Sequence, residues 1–409
     1  MSGQPFHIAY VVRDPLPPVR ADVLTLFGTE MPRHGVATEL VGQGGNPHAG
    51  APWPAGGMHV VGSLEHRFAS VCAPLWDLLG LLRALRGRRR PDCIQVRDKI
   101  ASGLACRLVA AVLGVPFVYW MSFPIVEGFE VRRDAIRQAG AGRLRWCAHA
   151  LRAAASRFLI YKMVLPGARH IFVQSEAMAG WLAAQGFDRR RMTAVPMGVD
   201  ETVFDRDKVD PVRDARLDGR RVVLYLGRIA RSRRSDFLLD VALELRKTLP
   251  ELLLVIAGDA PSNDEMAWMR AEIAARGLQD HVLLTGWLPQ RVALGYAVRA
   301  EVGLSPIPRG TLFDVSSPTK LVEYLALGMP CVANDIPDQK HVIEASGCGL
   351  CVPMEVGLFA AATLQLLNDR NAAEQAALRG PAYVRSHRTY AILGRNVAQT
   401  YKKILTEQG

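Results

Sequence analysis

Near residue 320 the chain reads Ser316-Ser317-Pro318-Thr319-Lys320-Leu321-Val322-Glu323-Tyr324, between two apolar runs. A serine–proline start ahead of an apolar repeat predicts a helix here. Ser317 is the expected N-cap, and Pro318 the first helical residue, where a missing N–H costs nothing. Gly328 suits the left-handed residue that ends such a helix. On it, Leu321, Tyr324 and Leu325 share an apolar stripe, while Thr319, Lys320 and Glu323 fall on another face one turn apart. A lysine, a hydroxyl and free amides at the positive end of a helix suit a phosphate. A carboxylate one turn deeper suits a sugar diol, because its two acceptor oxygens can receive both hydroxyls. A merely solvated helix would carry the same residues as a surface ion pair worth well under ~1 kcal/mol.

A second cluster precedes it. Gly227-Arg228-Ile229-Ala230-Arg231-Ser232-Arg233-Arg234-Ser235 follows an apolar strand-like run and opens a helical pattern over 236–249. Glycine permits a tight turn, and guanidinium groups grip phosphate oxygens with paired hydrogen bonds. Gly258 and Gly286 each follow a further apolar run, where a planar ligand could approach the backbone. Singly, such glycines also serve ordinary strand–helix turns.

The elements that must position these groups are short, nearly all-apolar strands alternating with helical stretches. Strands are expected at 6–12, 93–96, 116–120, 170–174 and 192–195. A second series is expected at 221–226, 252–257, 282–285, 301–305 and 330–333. Strands of this kind belong to parallel sheets covered on both faces. The pattern predicts an α/β protein of two doubly wound, Rossmann-like domains facing across a cleft. At 409 residues two cores are needed. The polar stretch 196–221 marks the boundary, giving domains at 1–200 and 201–389. A helix over 390–405, within a tail of 390–409, either caps the second domain or returns to the first. Ligands of such sheets bind beyond the carboxyl ends of the strands.

Taken together, "YLGRIARSRR", "LLVIAGD", "LTGWLP" and "SSPTKLVEYLALGMPCVAND" resemble, in order and spacing, the nucleotide-sugar-binding half of the family 4 retaining glycosyltransferases of GT-B fold. "ARHIFVQSEAMAGWLAAQGFDRRRMTAVPMGVDETVF" resembles that family's passage into its interdomain linker. The resemblance implies that Arg228 and Arg233 bind the donor diphosphate, arginine standing at 233 where lysine is usual. Glu323 matches the second glutamate of the E-x7-E motif, which holds the donor ribose. The first glutamate is replaced by Val315, with Asp314 one residue away, so Asp314, Ser316, Ser317, Thr319 and Lys320 become the donor-site substitutes, beside Gly227 and Gly258. A "SPTKL.EY" form occurs in a bacterial polysaccharide branch of the family.

The first domain should carry the acceptor side, through Asp98 and Lys99 after one strand and Ser122 and Glu127 after the next. Where the family often has a polar group near the reacting carbon, Glu127 could orient the attacking hydroxyl or accept its proton. An ordinary loop carboxylate paired with a neighbouring arginine is the equal alternative. No pair of carboxylates of the double-displacement kind stands out. That agrees with the front-face transfer the resemblance implies, in which the donor diphosphate helps deprotonate the acceptor. The implied partners are a nucleoside-diphosphate sugar and a glycan or polyprenyl-linked acceptor. No cofactor and no protein-bound metal are expected, the nucleotide sugar being a substrate.

Composition narrows the setting. No run approaches the roughly 18 apolar residues of a membrane span, and no signal peptide is read, so a cytoplasmic protein is expected. Seven scattered cysteines are read as buried small hydrophobes, with only Cys348 and Cys351 at metal or redox spacing. The net charge of +11 concentrates in 131–163, where eight Arg and Lys residues face Asp134 alone. Interleaved Trp146, Leu151, Phe158, Leu159 and Tyr161 make that stretch suit an anionic membrane surface, or else a helix packed on its own domain. No nucleic-acid-binding signature accompanies the charge. The alternatives are a sugar-nucleotide epimerase of the same fold and a non-catalytic GT-B partner protein. No G-x-G-x-x-G follows the first strand, which disfavours a dinucleotide-dependent oxidoreductase.

Overall fold

The computed structural model describes residues 5–45, 52–87, 89–138, 140 and 142–406. It divides into two units, Met1–Pro196 with Tyr390–Gly409, and Met197–Thr389. The first holds a seven-stranded sheet of β1 (Phe6–Val11), β2 (Val36–Gly44), β3 (Met58–Ser63), β4 (Cys93–Arg97), β5 (Phe117–Met121), β6 (His170–Val173) and β7 (Met192–Ala194). Its order is β3-β2-β1-β4-β5-β6-β7, and every pairing is parallel. In register, Tyr10 lies between Leu40 and Gln95. The second unit holds β8 (Arg221–Leu226), β9 (Leu252–Ala257), β10 (Val282–Gly286), β11 (Val302–Ser305), β12 (Cys331–Asn334) and β13 (Gly349–Val352). These are again parallel, in the order β10-β9-β8-β11-β12-β13.

β2, β3 and β13 are not among the expected strands. β2 reads VATELVGQG, whose Thr38 and Gln43 are buried and whose glutamate interrupts the apolar run. Its strand character comes from pairing with β1 and from the faces that pairing covers, more than from local propensity.

Each sheet reverses its order beside its first strand, β1 meeting β4 and β8 meeting β11. Crevices for ligands form at such switch points, beyond the carboxyl ends of the strands. The second unit packs its helices on both faces of the sheet, with Val223, Leu252, Leu254 and Phe359 on one side and Leu224, Leu253, Tyr324 and Leu325 on the other. In the first unit the helix Tyr390–Thr406 buries Leu393, Val397, Tyr401 and Ile404 in the core of β1, β4 and β6. Its Tyr401 ring lies 5.1 Å from Phe172, and its hydroxyl donates to the buried Gln95 amide oxygen.

Candidate functional site

In the second unit, the loops after β8 and β9 meet without side chains between them. Gly227 has φ 145° and Gly258 has φ 157°, and the Gly227 N–H donates to the Ala257 carbonyl at 3.0 Å. A Cβ on Gly258 would collide with the Gly227 carbonyl. Glycine is required there for close approach of two backbones.

The chain then enters a one-turn helix, Arg231–Arg233, and Arg234 adopts the left-handed conformation (φ 52°) before the helix Asp236–Leu245 begins. Ser235 fastens this turn, its hydroxyl accepting from the Ala230 N–H at 3.0 Å. The arginines sort into two kinds. Arg231 pairs with Glu265 at 3.6 Å and lies 4.8 Å over the Trp268 ring, and Arg234 pairs with Asp236 at 3.5 Å. Arg228 and Arg233 have side chains with no ion pair or hydrogen bond among the described residues.

The expected helix is Thr319–Ala326. Tyr324 anchors it, its hydroxyl accepting from the Leu226 N–H at 2.8 Å and donating to the Leu304 carbonyl at 3.2 Å. That ties the helix to the ends of β8 and β11, and Gly303 leaves room for the Tyr324 ring. So held, the helix buries the Lys320 stem and sets its ammonium 5.1 Å from the centroid of Tyr225. Neither Lys320 nor the half-buried Glu323 makes an ion pair or hydrogen bond among the described residues. Burial, with Arg233 adding repulsion, pushes the Lys320 ammonium down to about 8. Burial likewise pushes the Glu323 carboxyl up to about 7, against the pull of Lys320. Charged groups held buried without partners are costly, and they are the groups a ligand would complete. The sequence pattern gives no sign of these roles for Tyr225 and Tyr324. Both sit in or beside apolar stripes, where a tyrosine reads as core.

The remaining donor-side residues are placed differently. Ser317 does not cap the helix: the cap position is Pro318, with no side-chain cap. The Ser317 hydroxyl instead accepts from the Met197 N–H at 2.9 Å and donates to Asp338 at 2.8 Å, beside the buried Asp338–Arg388 pair at 2.6 Å. That is a structural tie between distant segments, which local spacing cannot reveal. The Ser316 hydroxyl is likewise spent on the Phe313 carbonyl at 2.6 Å. Asp314 ends a short helix and pairs with Arg309 at 2.8 Å, and Val315, where the family motif would have a glutamate, is buried. Thr319, the first helical residue, makes no side-chain hydrogen bond among the described residues.

In the first unit, Asp98 follows β4 in the left-handed conformation (φ 51°), which turns its carboxylate onto Ser122 after β5. One Asp98 oxygen accepts the Ser122 N–H at 2.9 Å and the other accepts its hydroxyl. Beneath them Arg97 is fully buried, paired with Asp22, 3.8 Å from Asp14 and 3.7 Å from Asp98. Burial alone would raise the Asp22 carboxyl, but Arg97 and Arg20 outweigh it and hold it at about 2. Asp14, Asp22 and Arg97 join the polar end of this sheet through contacts some 75 residues long in sequence, which no local pattern reports.

Lys99 turns away into a buried network, with Asp77 at 2.7 Å and Gln43 at 2.8 Å. Glu127 lies in the first turn of the helix Ile125–Gln138, not in a loop. Tyr161 donates to both its oxygens at 3.1 and 3.0 Å, and Arg157 reaches it at 3.1 Å. This is the arginine-paired carboxylate of the alternative reading, and its burial raises the carboxyl.

Two parallel, doubly wound sheets in one chain are the architecture of the GT-B class. Sucrose-phosphate synthase from Thermosynechococcus elongatus matches 98% of this chain and 100% of its own, with a TM-score of 0.73 at 17% identity. HepE from Anabaena, solved in complex with UDP-glucose, matches 97% of this chain and 99% of its own, with a TM-score of 0.66 at 14% identity. The model for Glycosyltransferase Family 4 matches residues 22–203, and that for Glycosyl transferases group 1 matches residues 220–369. The chain belongs to these family 4 glycosyltransferases, with one family model falling on each half. Among curated relatives, the alpha-D-kanosaminyltransferase of Streptomyces kanamyceticus is 29% identical over 194 residues, which are 46% of this chain. The matched segments span about half the length of that relative or less of the others.

Proposed function

We propose that this chain transfers a sugar, with retention at the anomeric carbon, from a nucleoside-diphosphate sugar to a hydroxyl of a glycan or polyprenyl-linked acceptor. The observation that carries this reading is a set of charged side chains that make no ion pair or hydrogen bond among the described residues, where the second sheet reverses: Arg228, Arg233, Lys320 and Glu323. Three cations at the amino end of one helix and in the loop after β8 suit a diphosphate and would stabilise it as it leaves. Glu323, ionised, would accept the two ribose hydroxyls. The chain's own share of catalysis is then orientation and charge stabilisation. Asp98 and Ser122, at the carboxyl ends of β4 and β5, are the acceptor-side groups.

Residues 131–163 support contact with an anionic membrane surface. On the helix Arg143–Phe158, Leu144, Leu151 and Phe158 recur every seven residues, at 87%, 73% and 59% exposure, and Arg145 and Arg152 flank them. No helix among the described residues is long and apolar enough to cross a membrane.

The test is thermal stability with millimolar UDP, GDP, ADP and dTDP, and NAD as control, on the wild type and Glu323→Ala. A ligand at ~100 times its dissociation constant adds about 2.7 kcal/mol. Stabilisation by one nucleoside diphosphate, lost in Glu323→Ala, is expected. Equal stabilisation of both proteins would move the donor site elsewhere, and no shift with any would favour the non-catalytic partner.

A further inference from the structure

The first unit carries a second polar cavity, at the opposite ends of its strands from Asp98 and Ser122. It lies under the amino ends of β5, β6 and β7, has a volume of about 1010 Å³, and is closed on one side by the helix Tyr390–Thr406. Five cationic side chains line it: Arg107, Arg169, Arg190, Arg191 and Lys403. The single lining carboxylate, Asp188, is engaged by Arg190 through two hydrogen bonds at 3.1 Å each.

Arg107 and Arg191 pair with no carboxylate among the described residues. Arg107 packs against Gly167, where a Cβ would overlap its guanidinium, and donates to the Met163 carbonyl. Arg191 donates to the Pro166 carbonyl at 3.3 Å. Carbonyls fix the direction of a guanidinium but do not neutralise it, so each keeps its charge and unused N–H groups. His170, buried at the start of β6, has Nε2 2.9 Å from the Thr193 hydroxyl. Burial first, then Arg191 and Lys403, push its imidazole down to about 4. The ring is thus neutral at pH 7, and it reports the positive field of the cavity. Apolar Val115, Phe117 and Ile404 line the same space, room for an organic body behind an anionic head.

We infer that this cavity binds a phosphate-bearing ligand, held by Arg107 and Arg191 and by Lys403 of the closing helix, at a site separate from the donor groups. Guanidinium forks and an ammonium converging on one polar cavity are the usual means of holding phosphoryl oxygens. The phosphate could come free in solution or on a lipid headgroup, and the chemistry of recognition is shared.

The experiment uses the full chain carrying Arg228→Ala and Arg233→Ala, so that the donor site does not bind pyrophosphate. Calorimetric titration with inorganic pyrophosphate should show one site per chain. Adding Arg107→Ala and Arg191→Ala should weaken it at least ~10-fold, and equal affinity in that variant would overturn the inference. Should the quadruple variant not fold, the imidazole signals of the chain carrying Arg228→Ala and Arg233→Ala alone, labelled at histidine, give a second reading. An anion beside His170 should raise its titration midpoint, and a His170 signal unmoved by saturating pyrophosphate would overturn the inference as well. Dihexanoyl phosphatidic acid, kept monomeric, separates the sources. Displacement of pyrophosphate by this lipid supports a headgroup, and binding of pyrophosphate alone supports a free phosphate. Failure of the donor reading would leave this result intact, because the donor arginines are absent from the protein tested.

Discussion

Replacing Lys320 by methionine should make the unliganded protein more stable while removing its response to the donor nucleotide. Lys320 as a residue is 7% exposed, and its ammonium lies over Tyr225 with no anionic partner within ion-pairing distance among the described residues. Its ordinary value of 10.5 falls to about 8 in the folded chain. A depressed lysine means that the unfolded chain binds the proton more tightly than the native one. The native state therefore bears the full cost below pH 8 and sheds it as pH rises from about 8 to 10.5. At about 1.4 kcal/mol per pH unit the displacement corresponds to ~3 kcal/mol at neutral pH. Methionine keeps the length and the apolar stem, so little packing is lost. Glu323 loses the attraction of Lys320, which returns part of the gain, leaving ~2 kcal/mol. For a unit of this size that is a rise in Tm of about 4–8 °C. The assay is a thermal melt of both proteins at pH 7 and pH 10, with and without the nucleoside diphosphate that stabilises the wild type. The expected result is a higher Tm for Lys320→Met at pH 7, a smaller difference at pH 10, and no nucleotide shift at either. A lower Tm at pH 7 would refute the burial cost, and an unchanged nucleotide shift would refute the assignment of Lys320 to the diphosphate.

Three further outcomes are expected. Nucleotide affinity should rise with pH through about 7 as Glu323 ionises and fall above about 8 as Lys320 loses its proton; calorimetry at pH 5.5, 7.5 and 9.5 checks it, and Glu323→Gln should flatten the acid limb alone. Arg388→Ala leaves Asp338 buried without its 2.6 Å partner and loosens Ser317, a loss of about 3–5 kcal/mol, read as a lower urea midpoint. Changing Arg143, Arg145 and Arg152 to glutamate should release the protein from anionic vesicles at low salt, measured by co-sedimentation, and unchanged sedimentation would remove the membrane from the reading.

What the sequence disclosed and what it hid divide along the range of the interactions. The helix Thr319–Ala326, its polar face and the glycine turns after β8 and β9 depend on residues a few positions apart, so spacing alone places Lys320 beside Glu323 and Gly227 before Arg228. The residues whose side chains the fold engages elsewhere share the opposite property. Ser317 has the residue type and position of an N-cap, and only Met197 and Asp338, 120 and 21 residues away, turn its hydroxyl to another use. Lys99 follows a strand as a ligand-binding lysine would, yet Asp77 and Gln43 claim it from distant segments. Glu127 looks available until Tyr161, 34 residues on, covers it. A charged residue near a strand end is thus a weak signal until its partners are known, because the fold uses the same groups to tie loops together. The four donor-side charges stand apart for the converse reason. Lys320 and Glu323 attract each other only at a distance, and none of the four makes an ion pair or side-chain hydrogen bond among the described residues. Holding Lys320 and Glu323 in that condition costs stability that no internal contact returns. A bound nucleoside diphosphate would return it, supplying anionic oxygens to Lys320, Arg228 and Arg233 and hydroxyl donors to Glu323. That is why the absence of internal partners among the described residues, more than the presence of charge, separates the proposed binding groups from the structural ones.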